Sequence, residues 1–457
     1  MKRDNHFLIY IAEILLLIEF VAITWLCSGT RVPYMMVMVS ISILSFLCIV
    51  VDRIFTKKVN VISRTECCAY VLSFLFLAYV FIQSVNVRVL KVPADGYSIY
   101  IAQDYCSFLP SCVSDAFLDF NNTAYFALYL GLVCFGLSCF SLLKNMAFAK
   151  IVSGFFIVNA LAMGIFAIWQ KENYSIMYNR FFSDGEFYGT FFLKNAAGAF
   201  FSFAIVCALY LVLTSAKIMC KKILSCLFLL AISLIFSYNV YDSESEGAML
   251  FGISIWCCFF GVLLLAFLSK FFELKKMLIY VSGAFLLSLT FWVAFLFFSN
   301  KMCVIPPEIK VSINSREDIN KHNISIFKNA PVFGIGTSGY DYQLSKVEKQ
   351  NRDYSKVYKY LAVSDPHNSI FAYFIRHGVV GGILIALMGL LWGAICWKRR
   401  KFIRKENIFI LLGLGCCLVY GLIDMHLSSI PSTMYIFVFL LALGTPRRGE
   451  NSYESVF

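Results

Sequence analysis

Apolar runs close to the roughly 20 residues needed to cross a bilayer recur along most of this chain. Twelve can be marked, at about 7–28, 33–51, 67–85, 123–142, 151–169, 188–213, 223–240, 247–269, 277–299, 370–396, 408–424 and 430–446. Only 14% of the residues are charged and 60% are hydrophobic, where a soluble domain carries about 25% charged residues. Lipid-exposed backbone must satisfy its own hydrogen bonds, and runs of this length do so as helices. The expected fold class is all-α and polytopic. It has about 12 transmembrane helices in a single integral membrane domain over 1–457.

A formal charge of +12 raises the question of nucleic acid, but its distribution answers it. With the N-terminus inside, every second gap is basic: Lys2 and Arg3; Arg53, Lys57, Lys58 and Arg64; Lys144 and Lys150; Lys217, Lys221 and Lys222; Lys270, Lys275 and Lys276; Lys398 through Lys405; Arg447 and Arg448. The short gaps on the other side hold only Arg31, Arg88, Lys91, Lys171 and Arg180. That asymmetry is the positive-inside pattern of a membrane protein, so no nucleic-acid partner is expected. It puts both termini in the cytoplasm. The first helix is expected to be an uncleaved anchor, since it is too long for a signal-peptide core.

The same topology puts one long polar interruption, 300–367, outside, between the ninth and tenth spans. It has local order of its own. Ser315-Arg316-Glu317-Asp318 has the form of a capping box. Ile319, Asn323, Ile326, Phe327 and Ala330 follow at helical spacing. Pro331 disfavours helical geometry in the residue before it, so the helix should stop near Ala330. The second-longest external segment, 86–122, contains Cys106 and Cys112, which are either a disulfide or two free thiols on an oxidising side. Most of the other cysteines among the 17 sit in apolar runs and read as small packing residues.

Two kinds of chemistry are disfavoured. Gly334-Ile335-Gly336-Thr337-Ser338-Gly339 matches G-x-G-x-x-G by letter. A dinucleotide site needs a buried strand before it and a helix after it; here a helix and a proline precede it, and a flexible turn is the better reading. The histidines are His6, His322, His367, His377 and His426. None forms an H-x-x-x-H pair, and no acidic cluster accompanies them at ligand spacing. No metal and no cofactor is expected.

Several stretches, in this order, resemble the O-antigen ligase and O-antigen polymerase superfamily. They are Gly189-Thr190-Phe191-Phe192-Leu193-Lys194-Asn195-Ala196-Ala197-Gly198; Ser245-Glu246-Gly247-Ala248; Arg316 followed by Pro331-x-x-Gly334-x-Gly336; His367-Asn368 and then Gly378-Val379-Val380-Gly381; and Asp424-Met425-His426-Leu427 through Pro431. The resemblance covers about 180–445. It implies a glycosyltransferase C-like architecture with one large periplasmic loop, in a bacterial inner membrane. It also implies a metal-independent, inverting glycosyltransferase that takes a glycan from undecaprenyl diphosphate to an acceptor hydroxyl, lipid A-core for a ligase. The implied partners are that lipid-linked donor, a glycolipid or glycan acceptor and the surrounding lipids.

The residue chemistry suits such a reaction. Diphosphate is a good leaving group, so the step gains most from a base at the acceptor hydroxyl. Imidazole, with an unperturbed pKa of about 6.5, can accept that proton at neutral pH. His367 is the candidate base, against a role in merely orienting its loop. Arg316 is the candidate diphosphate clamp, because guanidinium offers a planar fork to phosphate oxygens. As a solvated first-turn residue it would be mildly unfavourable at a helix N-terminus. Lys194 and Asn195 lie early in an apolar helix, where polar groups tend to face a cavity or a partner, although Lys194 can also snorkel to the interface. Arg180, just outside that helix, is a second candidate cation. Asn368 is expected to fix the His367 loop.

The chain departs from the superfamily at two places. Glu246 stands where an Arg is frequent, and Arg376 where a Glu is frequent. A missing cation at Glu246 leaves Arg180 or Lys194 to replace it. Alternative readings are a polysaccharide polymerase of the same superfamily, a protein O-oligosaccharyltransferase, and a flippase or transporter. A transporter would call for repeat symmetry and broken helices near the midplane.

Overall fold

The computed structural model describes residues 7–26, 31–56, 64–94, 97–115, 122–172, 188–191, 193–215, 223–268, 319–337, 339–340, 342–343, 366–422, 424 and 426–447. Among the described residues the apolar runs become helices. In chain order these are α1 Phe7–Trp25, α2 Val32–Phe55, α3 Arg64–Val85, α4 Asn122–Leu142, α5 Met146–Glu172, α6 Lys194–Ser215, α7 Ile223–Asp242 and α8 Glu246–Leu268. A short α9 over 319–329 follows, then α10 Ser369–Lys398, α11 Lys405–Gly421 and α12 Pro431–Gly444. Among the described residues nine helices, α1 to α8 and α10, are long and apolar enough to cross a membrane. The protein is a multi-pass membrane protein.

The other expected spans fare differently. Those at 408–424 and 430–446 are represented by α11 and α12, of 17 and 14 residues; the first is at the lower limit of a crossing helix and the second is below it. Pro431 opens α12, a position where its missing N–H costs nothing. The span expected at 277–299 lies outside the described residues, as does much of the 300–367 interruption.

The chain divides into two compact units. The first comprises residues 1–149, 319–400 and 421–442; the second comprises 150–318, 401–420 and 443–457. In the first unit, α1, α2, α3 and α4 pack together and α10 lies against α3. Its core is aromatic: Phe20 meets Phe135 and Phe439 edge to face, and Phe135 meets Tyr435. In the second unit α6 is almost entirely buried, and α7 and α8 pack on it. Its small residues Ala196, Ala197, Gly198, Ala199 and Ser202 are all buried, and small side chains let neighbouring helices approach closely within a membrane.

The first unit also contains a small sheet, which an all-α expectation lacks. Strands β1 Val87–Ala94, β2 Tyr97–Ala102 and β3 Cys112–Asp115 lie in the order β2-β1-β3. β1 pairs antiparallel with β2 and parallel with β3. Valine, isoleucine and tyrosine favour the pleated geometry. Asn86 ties down the chain that follows: its side chain donates to Cys106 O at 2.9 Å and Pro110 O at 3.0 Å and accepts from Cys106 N at 2.9 Å. Cys106 and Cys112 are free thiols. Cys112 is buried, and its Sγ lies 3.8 Å from Ser84 O.

Candidate functional site

The site in the first unit is built on a break in α10. Gly378 has φ 62° and ψ −168° in the middle of that helix, a region that essentially only glycine occupies. The break leaves backbone groups without helical partners, and the segment after α9 supplies them. Ile335 N donates to Ile375 O at 3.0 Å and Gly336 N to Arg376 O at 2.9 Å. Val379 N donates to Pro331 O at 2.8 Å and Val380 N to Val332 O at 3.2 Å. The spacing Pro331-x-x-Gly334-x-Gly336 therefore describes a strip of backbone seated against an interrupted helix. Gly334, at φ 71°, allows this approach: a Cβ there would run into the carbonyl of Arg376 and come within 2.5 Å of Gly378 N. The turn is not flexible in the sense expected, since Ile335 is fully buried with Ile326, Tyr340 and Ile375.

Gln83, near the end of α3, locks this junction. Its Nε2 donates to Phe333 O at 2.7 Å and Arg376 O at 2.9 Å. Two carbonyls on one side fix the amide orientation, so Oε1 faces His377 Nδ1 at 2.9 Å and accepts its proton. That leaves His377 Nε2 as the acceptor for Tyr129 OH at 3.0 Å. Tyr79 OH donates to His377 O at 2.6 Å and to Phe333 O at 2.9 Å. His377 is fully buried and serves as a structural latch. Gln83→Glu has nearly the same shape but puts an oxygen against two carbonyl oxygens. It should destabilise the purified protein by about 3 kcal/mol, read as a fall in thermal midpoint in detergent.

The opening turns of α10 are held from the other side. Ser369, Tyr373 and Arg376 fall at i, i+4 and i+7, one face of a helix. Ser369 N and Oγ donate to Asp424 O at 2.9 and 2.7 Å, and Tyr373 OH donates to Leu427 O at 2.8 Å. Arg376 donates to Ser428 O and, at 2.9 Å, to Ser429 Oγ, and lies 5.6 Å from the Tyr125 ring centroid. The Asp424-to-Pro431 stretch is thus a clamp on α10. His426, within it, is fully buried, and burial pushes its imidazole down to about 3, which keeps it neutral.

His367 stands immediately before this helix. It has φ 48°, left-handed backbone that few non-glycine residues adopt. Both neighbours are pinned. Asn368 caps α10, its side chain accepting from Phe371 N at 2.9 Å. Asn323 Nδ2 donates to Pro366 O at 2.9 Å, and Tyr340 OH donates to Asn323 Oδ1 at 2.8 Å. Asn323 is fully buried on α9. The His367 ring is only half-buried and has no hydrogen-bond partner among the described residues. Helix α9 ends at 329, before Pro331, and turns Ile326, Phe327 and Ala330 inward as their spacing predicts. Sequence reasoning put Asn323 on the buried face but missed its role in holding Pro366. It also missed Gln83.

The second unit gathers the remaining candidates that are described. Tyr188 and Phe191 bridge a tight turn with Gly189 at φ 64°, and Lys194 opens α6. Asn195 Oδ1 accepts from Ser245 Oγ at 2.7 Å. Ser245 in turn caps α8 through Ala248 N at 3.3 Å. Glu246 is exposed in the first turn of α8, where the helix dipole favours an acid. Nearby, Tyr188 OH donates to Asn239 Oδ1 and Asp242 Oδ2, both at 3.0 Å, and Lys171 pairs with Asp242 at 2.9 Å. Arg180 and Arg316 lie outside the described residues.

The O-antigen ligase family model matches residues 231–386. That interval is roughly a third of the chain and takes in the Ser245 cap, the Pro331–Gly336 strip, His367, Asn368 and the break at Gly378. The Gly189–Gly198 and Asp424–Pro431 stretches fall outside it. None of the curated proteins compared with the chain matches it. Over residues 231–386 the chain is similar to the O-antigen ligase family, and this match supports a relationship to that superfamily.

Proposed function

We propose that the protein is an inner-membrane glycosyltransferase that moves a glycan en bloc from undecaprenyl diphosphate to an acceptor hydroxyl at the periplasmic face. Both termini are then cytoplasmic and the 300–367 interruption is periplasmic. The acceptor oxygen attacks the anomeric carbon, the bond from that carbon to the diphosphate oxygen breaks, and the lipid diphosphate departs. The acceptor proton passes to His367, and the configuration at the anomeric carbon inverts. Arg316 is assigned to the diphosphate, with Arg180, Lys194 and Asn195 as further donor contacts, and Asn368 as the residue that sets the His367 loop. No metal takes part in this scheme.

The observation that carries the reading is the setting of His367. A half-exposed imidazole sits on a left-handed residue whose two neighbours are tied to fixed backbone. An uncommon backbone geometry held on both sides is what a positioned reactive group needs. Asn323→Ala tests the positioning. It leaves Pro366 O without the Asn323 donor and removes the acceptor that Asn323 gives to Tyr340 OH, so stability should fall by about 1–3 kcal/mol. If positioning matters, kcat should fall further than acceptor KM changes. Equal kcat with lower stability would make Asn323 a purely structural residue.

The envelope glycan profile of a deletion strain distinguishes acceptors. Loss of all long chains from the lipid anchor, with lipid-linked polymer accumulating, fits a ligase. Single repeat units remaining on the anchor fit a polymerase. An unchanged profile contradicts both.

A further inference from the structure

The sheet holds a cation that the scheme above does not use. β1 and β3 change register between Val87 and Val89, so Arg88 is the extra residue of a bulge. Bulges re-aim the side chain they carry. Arg88 Nε and Nη2 are shielded from solvent and have no hydrogen-bond partner among the described residues. A guanidinium stays charged in a protein, and donors left in that state need an explanation such as a ligand. Among the described residues, Tyr105, Tyr342 and Cys112 lie near enough to act on its charge, and none of them is a carboxylate. Burial pushes the Cys112 thiol up to about 12, so it stays neutral and supplies no counter-charge. Tyr342 packs against Tyr100 with ring centroids 4.8 Å apart, and Tyr105 is 46% exposed.

We propose that Arg88, flanked by Tyr105 and Tyr342, is a recognition site for an acidic sugar, the guanidinium fork taking a carboxylate or phosphoryl group and the tyrosine rings the sugar face. This rests on the glycosyltransferase reading for the presence of a glycan. The chemistry is that of any oxyanion held by an arginine fork, with flat apolar rings beside it. A bare ion would use the fork alone; a sugar uses both.

The test uses purified full-length protein in detergent and ligand-observed NMR. The probes are methyl glucuronide, glucose 6-phosphate, methyl glucoside and glycerol 3-phosphate. The expected result is binding of at least one acidic sugar and not of methyl glucoside, weakened at least tenfold in Arg88→Gln and partly restored in Arg88→Lys. Tyr105→Ala, at an exposed position, should weaken the acidic sugars severalfold, and it decides the matter even if Arg88→Gln fails to fold. Equal binding of methyl glucoside overturns the proposal, as does absence of acidic-sugar binding. Glycerol 3-phosphate competing equally, with Tyr105→Ala unchanged, also overturns it, since the site would then read a bare phosphate such as a lipid headgroup. Glycan transfer is measured separately on the same preparations. A failed binding test with transfer intact leaves the glycosyltransferase reading standing.

Discussion

Replacing His367 by alanine should lower glycan transfer at neutral pH by about 10²–10⁴-fold, the usual worth of a general base, with little change in the amount of folded protein. The backbone makes a sharper variant available. His367 has φ 48°, a conformation that strains a non-glycine residue by roughly 1–2 kcal/mol and does not strain glycine, which gives back about 0.5–1 kcal/mol through its greater loss of backbone freedom on folding. If the residue served only the turn, His367→Gly would be at least as stable and fully active. If its imidazole takes the acceptor proton, His367→Gly is at least as stable and nearly inactive. Few catalytic candidates allow the structural and chemical roles to be separated in opposite directions. The envelope glycan profile of cells expressing each variant at wild-type level reports the outcome.

Gly378→Ala should cost about 3 kcal/mol or more, large for one methyl group. Two effects combine. The residue sits at φ 62°, ψ −168°, where a side chain is strained by about 1–3 kcal/mol. Its new Cβ would also run into the Val332 carbonyl and lie 2.5 Å from Gly334 N, pushing apart the strip that bonds across the break. Four backbone hydrogen bonds between 331–336 and 375–380 depend on that approach. Gly389 in the same helix is the control, since among the described residues nothing lies within 4 Å of a Cβ there. Gly389→Ala should be neutral or stabilising by up to about 1 kcal/mol. The two thermal midpoints in detergent, measured side by side, check the contrast. Equal midpoints would mean the strip is not held as described.

Much of this was legible in the sequence, for identifiable reasons. Hydropathy located the long helices because lipid demands the same length and composition of each. Pro331 announced the end of α9, and the spacing of Ile326, Phe327 and Ala330 announced its buried face. The sheet was missed, although Asp95-Gly96 between β-branched runs is a strong hairpin signal; apolar strands close to a membrane span read as part of its flank. The break at Gly378 was also missed. An apolar pattern continues through Gly378-Val379-Val380-Gly381, and only the partner strip, more than 40 residues away in the chain, makes the interruption stable. Gln83 shows the same limit. A lone amide near the end of an apolar helix has no pattern of its own, and its role appears only once Phe333, Arg376 and His377 surround it.

The most direct test of the central claim is transfer by purified, reconstituted full-length protein, given a lipid-diphosphate glycan and an acceptor saccharide, for wild type and His367→Gly. The expected result is a thermal midpoint no lower than wild type with product formation reduced at least 100-fold, within the range for loss of a general base. A well-folded His367→Gly protein that transfers glycan at the wild-type rate would contradict it.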